Sequence, residues 1–231
     1  MEHSWPQFAS IAATRHCKRA FLDKPVPRDV LERVLAVAAH APSTRNGQPW
    51  QVAAVTGAAR DALADRLRAA FDAGTPPCPD YPNRPATVDP ATEERWRLAG
   101  AGLFRAMDIG REDAAARRAH LRSNLDFHGA PAALIFHLPA TAAPGTFLEM
   151  GFFLQNTMLG LVACGLGSCP QYSVAGYPDV LREQLGLVER LIVCGLAVGY
   201  PDPEAPVNAF APPRLEPADF VRWHDQPPAC G

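Results

Sequence analysis

Apolar residues recur along this chain with two different periods, and the switches between them mark its elements. In residues 28–41, RDVLERVLAVAAHA, the side chains of Val30, Leu31, Val34, Leu35 and Ala38 fall three or four positions apart. That spacing lays them along one stripe of a helix. Pro27 stands just ahead of it, where a helix loses nothing to a missing N–H. Residues 50–56, WQVAAVT, are apolar and partly β-branched up to Gly57, which predicts a buried strand. The helical period returns over residues 59–74 and stops at Gly74.

Residues 75–90 then hold six of the 24 prolines. Proline fixes φ and has no N–H, so neither a helix nor a central strand survives that density. The segment reads as an ordered excursion, a lid or an arm. Residues 91–122 are charged and helical in pattern. PAALIFHL (131–138) predicts a strand, residues 146–167 a long and mostly buried helix ending on glycine, residues 178–187 a short helix, and RLIVCGLAVGY (190–200) a core strand. From Pro201 the chain is proline-rich and runs into FVRWHD. With no repeat and no linker, residues 1–231 form one mixed α/β or α+β domain. Within it, residues 75–125 are a variable excursion, and residues 201–231 are an irregular tail that needs a surface to lie on.

Composition narrows the function classes. Lys plus Arg number 22 and Asp plus Glu 24, for a net charge of −2. There is no global electrostatic reason to expect nucleic acid or an anionic membrane as partner. MEHSWPQFAS lacks the apolar core of a signal peptide, and the most apolar stretch, 151–170, is interrupted by Gln155, Asn156 and Thr157. The cysteines at 17, 78, 164, 169, 194 and 230 make no C-x-x-C pair and have no histidines at zinc spacing. The expectation is a cytoplasmic protein with reduced thiols and no metal. There is no G-x-G-x-x-G opening a helix after a strand, no Walker loop, no H-E-x-x-H and no G-x-S-x-G.

Three segments carry candidate chemistry, each with an ordinary reading beside it. TRHCKRAF (14–21) gathers Arg15, Lys18 and Arg19 around the small nucleophile Cys17. It is either a phosphate grip, since guanidinium forks match phosphate oxygens, or a solvated basic run. APSTRNGQPW (41–50) is either a helix stop with an Asx-type turn or a set of amide side chains, Asn46 and Gln48, that read a planar heteroaromatic ring. GLGSCPQYS (165–173) is either a glycine C-cap or a compact loop that aims backbone N–H groups at a ligand.

Taken in order, the three resemble the motifs of the FMN-dependent nitroreductase family, and most closely its nitrobenzoate-reductase-type branch. RHCKR is similar to that family's R-[RH]-S-x-[RK], APSTRNGQPW to its A-P-S-x-x-N-x-Q-P-W, FFLQNTMLGLVACGLGSCPQ to its L-Q-N-x-M-L-A-A…G-L-G-[ST]-C-P-Q, and VCGLAVGYPDPEAPVNAF to its V-x-G-x-A-L-G-Y-x-D strand and arm. The likeness runs from about residue 11 to 224 and is least close over 75–125.

The resemblance implies an α+β fold with a central, mostly antiparallel sheet wrapped by helices. It implies a homodimer whose C-terminal arms embrace the partner, with FMN at the interface and NADH or NADPH as co-substrate. The acceptor it implies is a small aromatic, nitroaromatic or quinone, reduced in ping-pong order. It places Arg15 on the phosphate, His16 and Cys17 of the same motif among the cofactor-binding residues, and Arg19 beside the flavin N1 and C2 carbonyl. Pro42, Ser43, Asn46 and Gln48 would line the flavin, some of them reaching the partner's cofactor. Pro170, Gln171 and Tyr172 would pass its N5 edge, Arg214 would return from the arm to the phosphate, and Arg122 and Asn124 would add a polar contact. Two residues depart from the pattern: Cys17 replaces the usual serine, and Ala211 stands where many relatives have a second phosphate-binding arginine. No acid, base or nucleophile of the chain is required, because the flavin N5 is the reactive centre. Rival readings are dehalogenation, enone reduction or a biosynthetic dehydrogenation on the same scaffold, and a flavin-binding or storage dimer without turnover.

Overall fold

A computed structural model describes residues 4–225; Cys230 and the last residues of the tail lie outside them. In chain order the elements are α1 (Ser4–Thr14), α2 (Arg28–Ala38), β1 (Gln51–Thr56), α3 (Gly57–Asp72), α4 (Pro90–Ala106), α5 (Ala114–Ser123), β2 (Ala132–Pro139), α6 (Pro144–Ala163), β3 (Gly167–Gln171), α7 (Tyr172–Ala175), α8 (Pro178–Leu185), β4 (Arg190–Gly199), α9 (Pro206–Ala209) and α10 (Pro217–Phe220). Short 3-10 turns span Thr44–Asn46 and Asn124–Gly129.

The four strands form one sheet in the order β1-β2-β4-β3, and every neighbouring pair is antiparallel. The architecture is the expected α+β one. β2 and β4 are central and apolar on both faces, so each face needs a cover. On one face Leu134, Phe136, Leu196 and Val198 pack with Leu31 and Val34 of α2 and Met150, Phe153 and Leu161 of α6. On the other, Ala133, Ile135, Ile192 and Ala197 pack with Leu63 and Leu67 of α3, Leu181 of α8, and Leu125 and Phe127 of the 124–129 turn.

β3 replaces the expected loop at 167–171. Pro170 cannot donate to a ladder, and it is tolerated because β3 lies at the sheet edge. β3 pairs with β4 only from Gly167↔Gly199 to Gln171↔Gly195, which leaves β4 from Arg190 to Cys194 without a strand on that side. The proline-rich excursion covers this gap with side chains. The Asp80 carboxylate accepts from the Ile192 N–H at 2.8 Å and from Arg182 at 2.7 Å, and the Tyr81 hydroxyl donates to the Val193 carbonyl at 2.7 Å. An uncovered strand edge invites foreign strands, so the excursion has a structural role besides any function.

The tail splits in two. Residues 201–209 lie on their own chain, with Asp202 N donating to Ala20 O at 3.1 Å and Val207 buried. Beyond them Leu215, Phe220 and Trp223 are exposed, and α1 has no buried residue and presents Trp5 and Phe8.

Candidate functional site

Residues 15–19 run along the outer side of β3. Cys17 bridges Ser168 in parallel and Lys18 N donates to Ser168 O at 3.0 Å. The approach is close because residue 167 is glycine: a Cβ there would sit 2.6 Å from Pro201 and 2.7 Å from Lys18. Asn208, 5% exposed, ties the segment down. Its Oδ1 accepts from the N–H groups of Arg19 (2.8 Å) and Ala20 (3.3 Å), and its Nδ2 donates to Ala20 O (2.7 Å) and Asp202 O (2.9 Å). Nothing in the sequence singles out Asn208, because one asparagine in a proline-rich tail makes no pattern. It nonetheless sets the backbone of Arg19.

His16 Nδ1 lies 2.9 Å from Thr14 O, and its Nε2 lies 2.8 Å from Asn208 O and 2.7 Å from Lys18 Nζ. Burial lowers the Lys18 pKa. Among the described residues no carboxylate pairs with Arg15, Arg19 or Arg214. Arg15 Nε and Gln171 Oε1 are buried without a hydrogen-bond partner. Polar atoms are seldom left so; Arg60 Nε, His128 Nε2 and His137 Nδ1 share the condition among the described residues. Arg15, His16, Lys18, Ser168 and Asn208 line a cavity of about 380 Å³.

Next to Arg19 lies the 124–129 turn. Gln171 Nε2 donates to Asn124 O at 2.8 Å, and Asn124 Nδ2 donates to His120 O at 3.1 Å. Arg122 is held on both carboxylate oxygens of Asp72 at 2.7–3.0 Å. Phe127 and His128 have left-handed φ values of 52° and 54°. Asp126 secures that strained backbone, pairing with Arg60 at 3.2 Å and Arg68 at 3.0 Å while its carbonyl accepts from Arg60.

His128, another residue without a sequence signal, meets Ser123 Oγ at 3.0 Å through Nδ1 and stacks on His120 with ring centres 5.9 Å apart. Burial, then the charges of Arg19 and His120, push the His128 pKa from 6.5 to about 3. Between those two values the unfolded chain holds a proton that the folded chain does not. Stability present above pH 6.5 is therefore lost as pH falls towards 3, by up to about 1.4 kcal/mol per unit. Acid titration of unfolding should show this slope from about pH 6, and His128→Phe should flatten it.

Pro170 and Tyr172 border a second cavity, about 620 Å³, with Tyr81, Phe147, Met150 and Leu154. It is apolar, and its aromatic walls suit a flat ring. Tyr81 sits 4.7 Å from Phe147 and 6.2 Å from Tyr172, ring centre to ring centre.

Pro42, Ser43, Asn46 and Gln48 are grouped elsewhere. Their turn is left-handed at Arg45 (φ 52°), Asn46 (57°) and Gln48 (44°). It is held by Thr44 N donating to Glu149 Oε1 of α6 at 2.8 Å and Gln48 N donating to Ser43 Oγ at 3.0 Å. No hydrogen bond or ion pair among the described residues joins it to the 15–19 segment. Among the described residues, Arg214, exposed, donates only to the carbonyls of Pro212 and Pro213.

Fold and cradle define an α+β protein with paired arginines lying along the edge strand of an antiparallel sheet. The chain belongs to the nitroreductase family, whose model matches residues 12–200. It is 34% identical over 209 residues to the nitroreductase NfnB of Mycolicibacterium smegmatis, covering 90% of this chain and 89% of that one. It is also 34% identical over 218 residues to the 4-nitrobenzoate reductase of Pseudomonas putida, covering 94% and 95%. Among solved structures, an FMN- and NADPH-dependent nitroreductase NfnB from sphigopyxis sp. strain HMH superposes with a TM-score of 0.91 at 36% identity, over 95% of this chain and 99% of that one. No helix among the described residues is long and apolar enough to cross a membrane.

Proposed function

We propose that the protein is an FMN-dependent oxidoreductase that uses NADH or NADPH to reduce nitroaromatic or quinone-type acceptors in ping-pong order. The observation that carries this reading is that Arg15 Nε and Gln171 Oε1 are buried without a partner among the described residues, one in the 15–19 segment and the other on the strand β3 that it runs along, while no carboxylate pairs with Arg15 or Arg19. The donor set fits the cofactor: guanidiniums for a phosphate at one end, and an amide with a further guanidinium for a ring of carbonyls and ring nitrogens at the other. When bound, FMN supplies the centre that accepts and returns hydride.

The chain's own residues bind and orient. Arg15, with Arg214 from the arm, holds the phosphate. Arg19, positioned by Asn208, sets a fixed cation where negative charge develops on reduction. Pro170, Gln171 and Tyr172 flank the ring, and the aromatic cavity beside them positions a flat acceptor and excludes water. The related proteins named for nitroreductase and 4-nitrobenzoate reductase activity support the acceptor class.

Among the described residues no hydrogen bond or ion pair joins the Pro42–Gln48 turn to the Arg15 segment, and we read the turn as serving a flavin held mainly by a second copy. The exposed aromatics of α1 and the arm, Trp5, Phe8, Phe220 and Trp223, favour a homodimer for the same reason. We place it in the cytoplasm. The test is anaerobic: protein reconstituted with FMN should bleach on adding NADH or NADPH and recover colour with 4-nitrobenzoate or a quinone. Protein that binds FMN but does not bleach is a storage dimer, and the enzymatic reading fails. Light scattering that finds flavin-loaded monomer rules out the shared site.

A further inference from the structure

Cys17 stands between Arg15 and Arg19, in the segment we read as the phosphate cradle. The mechanism has no use for a thiol there. Residue 17 is bridged to Ser168, so it abuts the strand that carries Cys169. Cys17 is half-buried and packs on the cluster that contains Cys169, which is 2% exposed. The Cys169 thiol reaches the Pro170 carbonyl at 3.9 Å.

We propose that Cys17 and Cys169 form an oxidisable dithiol, with Cys17 the peroxide-reactive sulfur and Cys169 the resolving one, and that a phosphate in the cradle protects it. The clause about phosphate rests on the reading of Arg15 and Arg19 given above; the dithiol does not.

The two sulfurs are tuned apart. The hydrogen bond from Cys169, then Arg19, Arg15 and His16, outweigh burial and bring the Cys17 thiol down to about 6. Cys17 and burial together hold Cys169 well above the ordinary thiol range. At neutral pH one is a thiolate and the other keeps its proton, which is the division such chemistry needs. Burial alone pushes Cys194 up to about 12, so it stays inert.

The steps balance with hydrogen peroxide as the oxidant. The Cys17 thiolate attacks one peroxide oxygen, the O–O bond breaks, and Cys17 sulfenic acid and hydroxide form. The Cys169 sulfur then attacks the sulfenic sulfur. The S–S bond forms, the S–O bond breaks, and the departing oxygen takes the thiol proton and leaves as water. The two sulfurs lose two electrons and the peroxide gains them. A bound phosphate dianion shields Cys17 sterically and raises its thiol towards the ordinary range, slowing the first step.

The test is done on the full chain under argon, stripped of flavin and mapped by peptide mass spectrometry. At pH 7, iodoacetamide should label Cys17 about tenfold faster than the exposed Cys78 or Cys164. One equivalent of peroxide should join the Cys17 and Cys169 peptides. Cys169→Ser should stop at a sulfenic acid that dimedone traps on Cys17. Saturating FMN should slow labelling at least about tenfold, and inorganic phosphate should do so at higher concentration. Labelling of Cys17 no faster than Cys78, or peroxide treatment without the cross-linked peptide, overturns the dithiol. The labelling race uses the unaltered chain, so it decides even where Cys169→Ser does not fold. If the disulfide forms as fast with FMN bound, the dithiol stands and the placing of phosphate over Cys17 falls.

Discussion

Arg15→Ala is expected to weaken FMN binding about tenfold to a hundredfold, because a lost charge-assisted contact is worth roughly 1.5–3 kcal/mol. Arg15 Nε is already buried without a protein partner, so no internal bond replaces the lost one. The arm offers little relief: position 211 is alanine, and Arg214 is exposed. Arg19→Ala should behave differently. Its backbone N–H stays on Asn208, so the segment keeps its path, and the missing cation matters once charge develops on the ring. Flavin should stay largely bound, while its reduction potential falls and hydride uptake slows. Fluorescence titration of both apo-variants, followed by anaerobic reduction, separates the roles. Flavin loss in Arg19→Ala with normal reduction, beside retention in Arg15→Ala with slow reduction, would show the two assignments to be exchanged.

The other large effect is one of stability. Asp80→Ala should lower the unfolding free energy by about 3 kcal/mol. The Asp80 side chain is 16% exposed and that of Arg182 31%, and their ion pair measures 2.7 Å. The substitution leaves the Ile192 N–H without its acceptor and the guanidinium without its main counter-charge. Arg182 still reaches the Arg190 carbonyl at 2.8–3.1 Å, and its contact with Asp179 is too exposed to compensate, which keeps the loss near the lower end for a broken buried pair. Urea denaturation at constant slope is the measurement. A shift below about 1 kcal/mol would mean that the proline-rich segment does not hold the β4 edge.

The elements that were plain in the sequence are those with a single buried side or a continuous apolar run. α2 announces itself through Leu31, Val34 and Ala38, and β2 and β4 through unbroken apolar residues buried on both faces. α1 gave no signal because none of its residues is buried in its own chain, so no apolar stripe marks it. β3 hid behind Gly167 and Pro170, residues that mark loops unless an edge position excuses them. Residues 91–122 read as one charged helical stretch, but the chain breaks at 107–113 into α4 and α5, with Asp113 capping the second. At the site, Arg15, Arg19 and Gln171 were legible because their motifs are local. Asn208 and His128 were not: one acts across almost the whole chain length, and the other depends on a left-handed turn that nothing in its neighbours foretells.

The turn at Thr44–Gln48 carries an evolutionary consequence. Arg45 and Gln48 bear side chains on backbone suited to glycine, at a cost on the order of 1–3 kcal/mol each. Breeding this protein for heat resistance alone would pull both positions towards glycine and erase the groups that make the turn chemically distinctive. Breeding it for turnover would keep them and leave the melting point where it is. Two laboratory lineages from one ancestor would part company first at this turn.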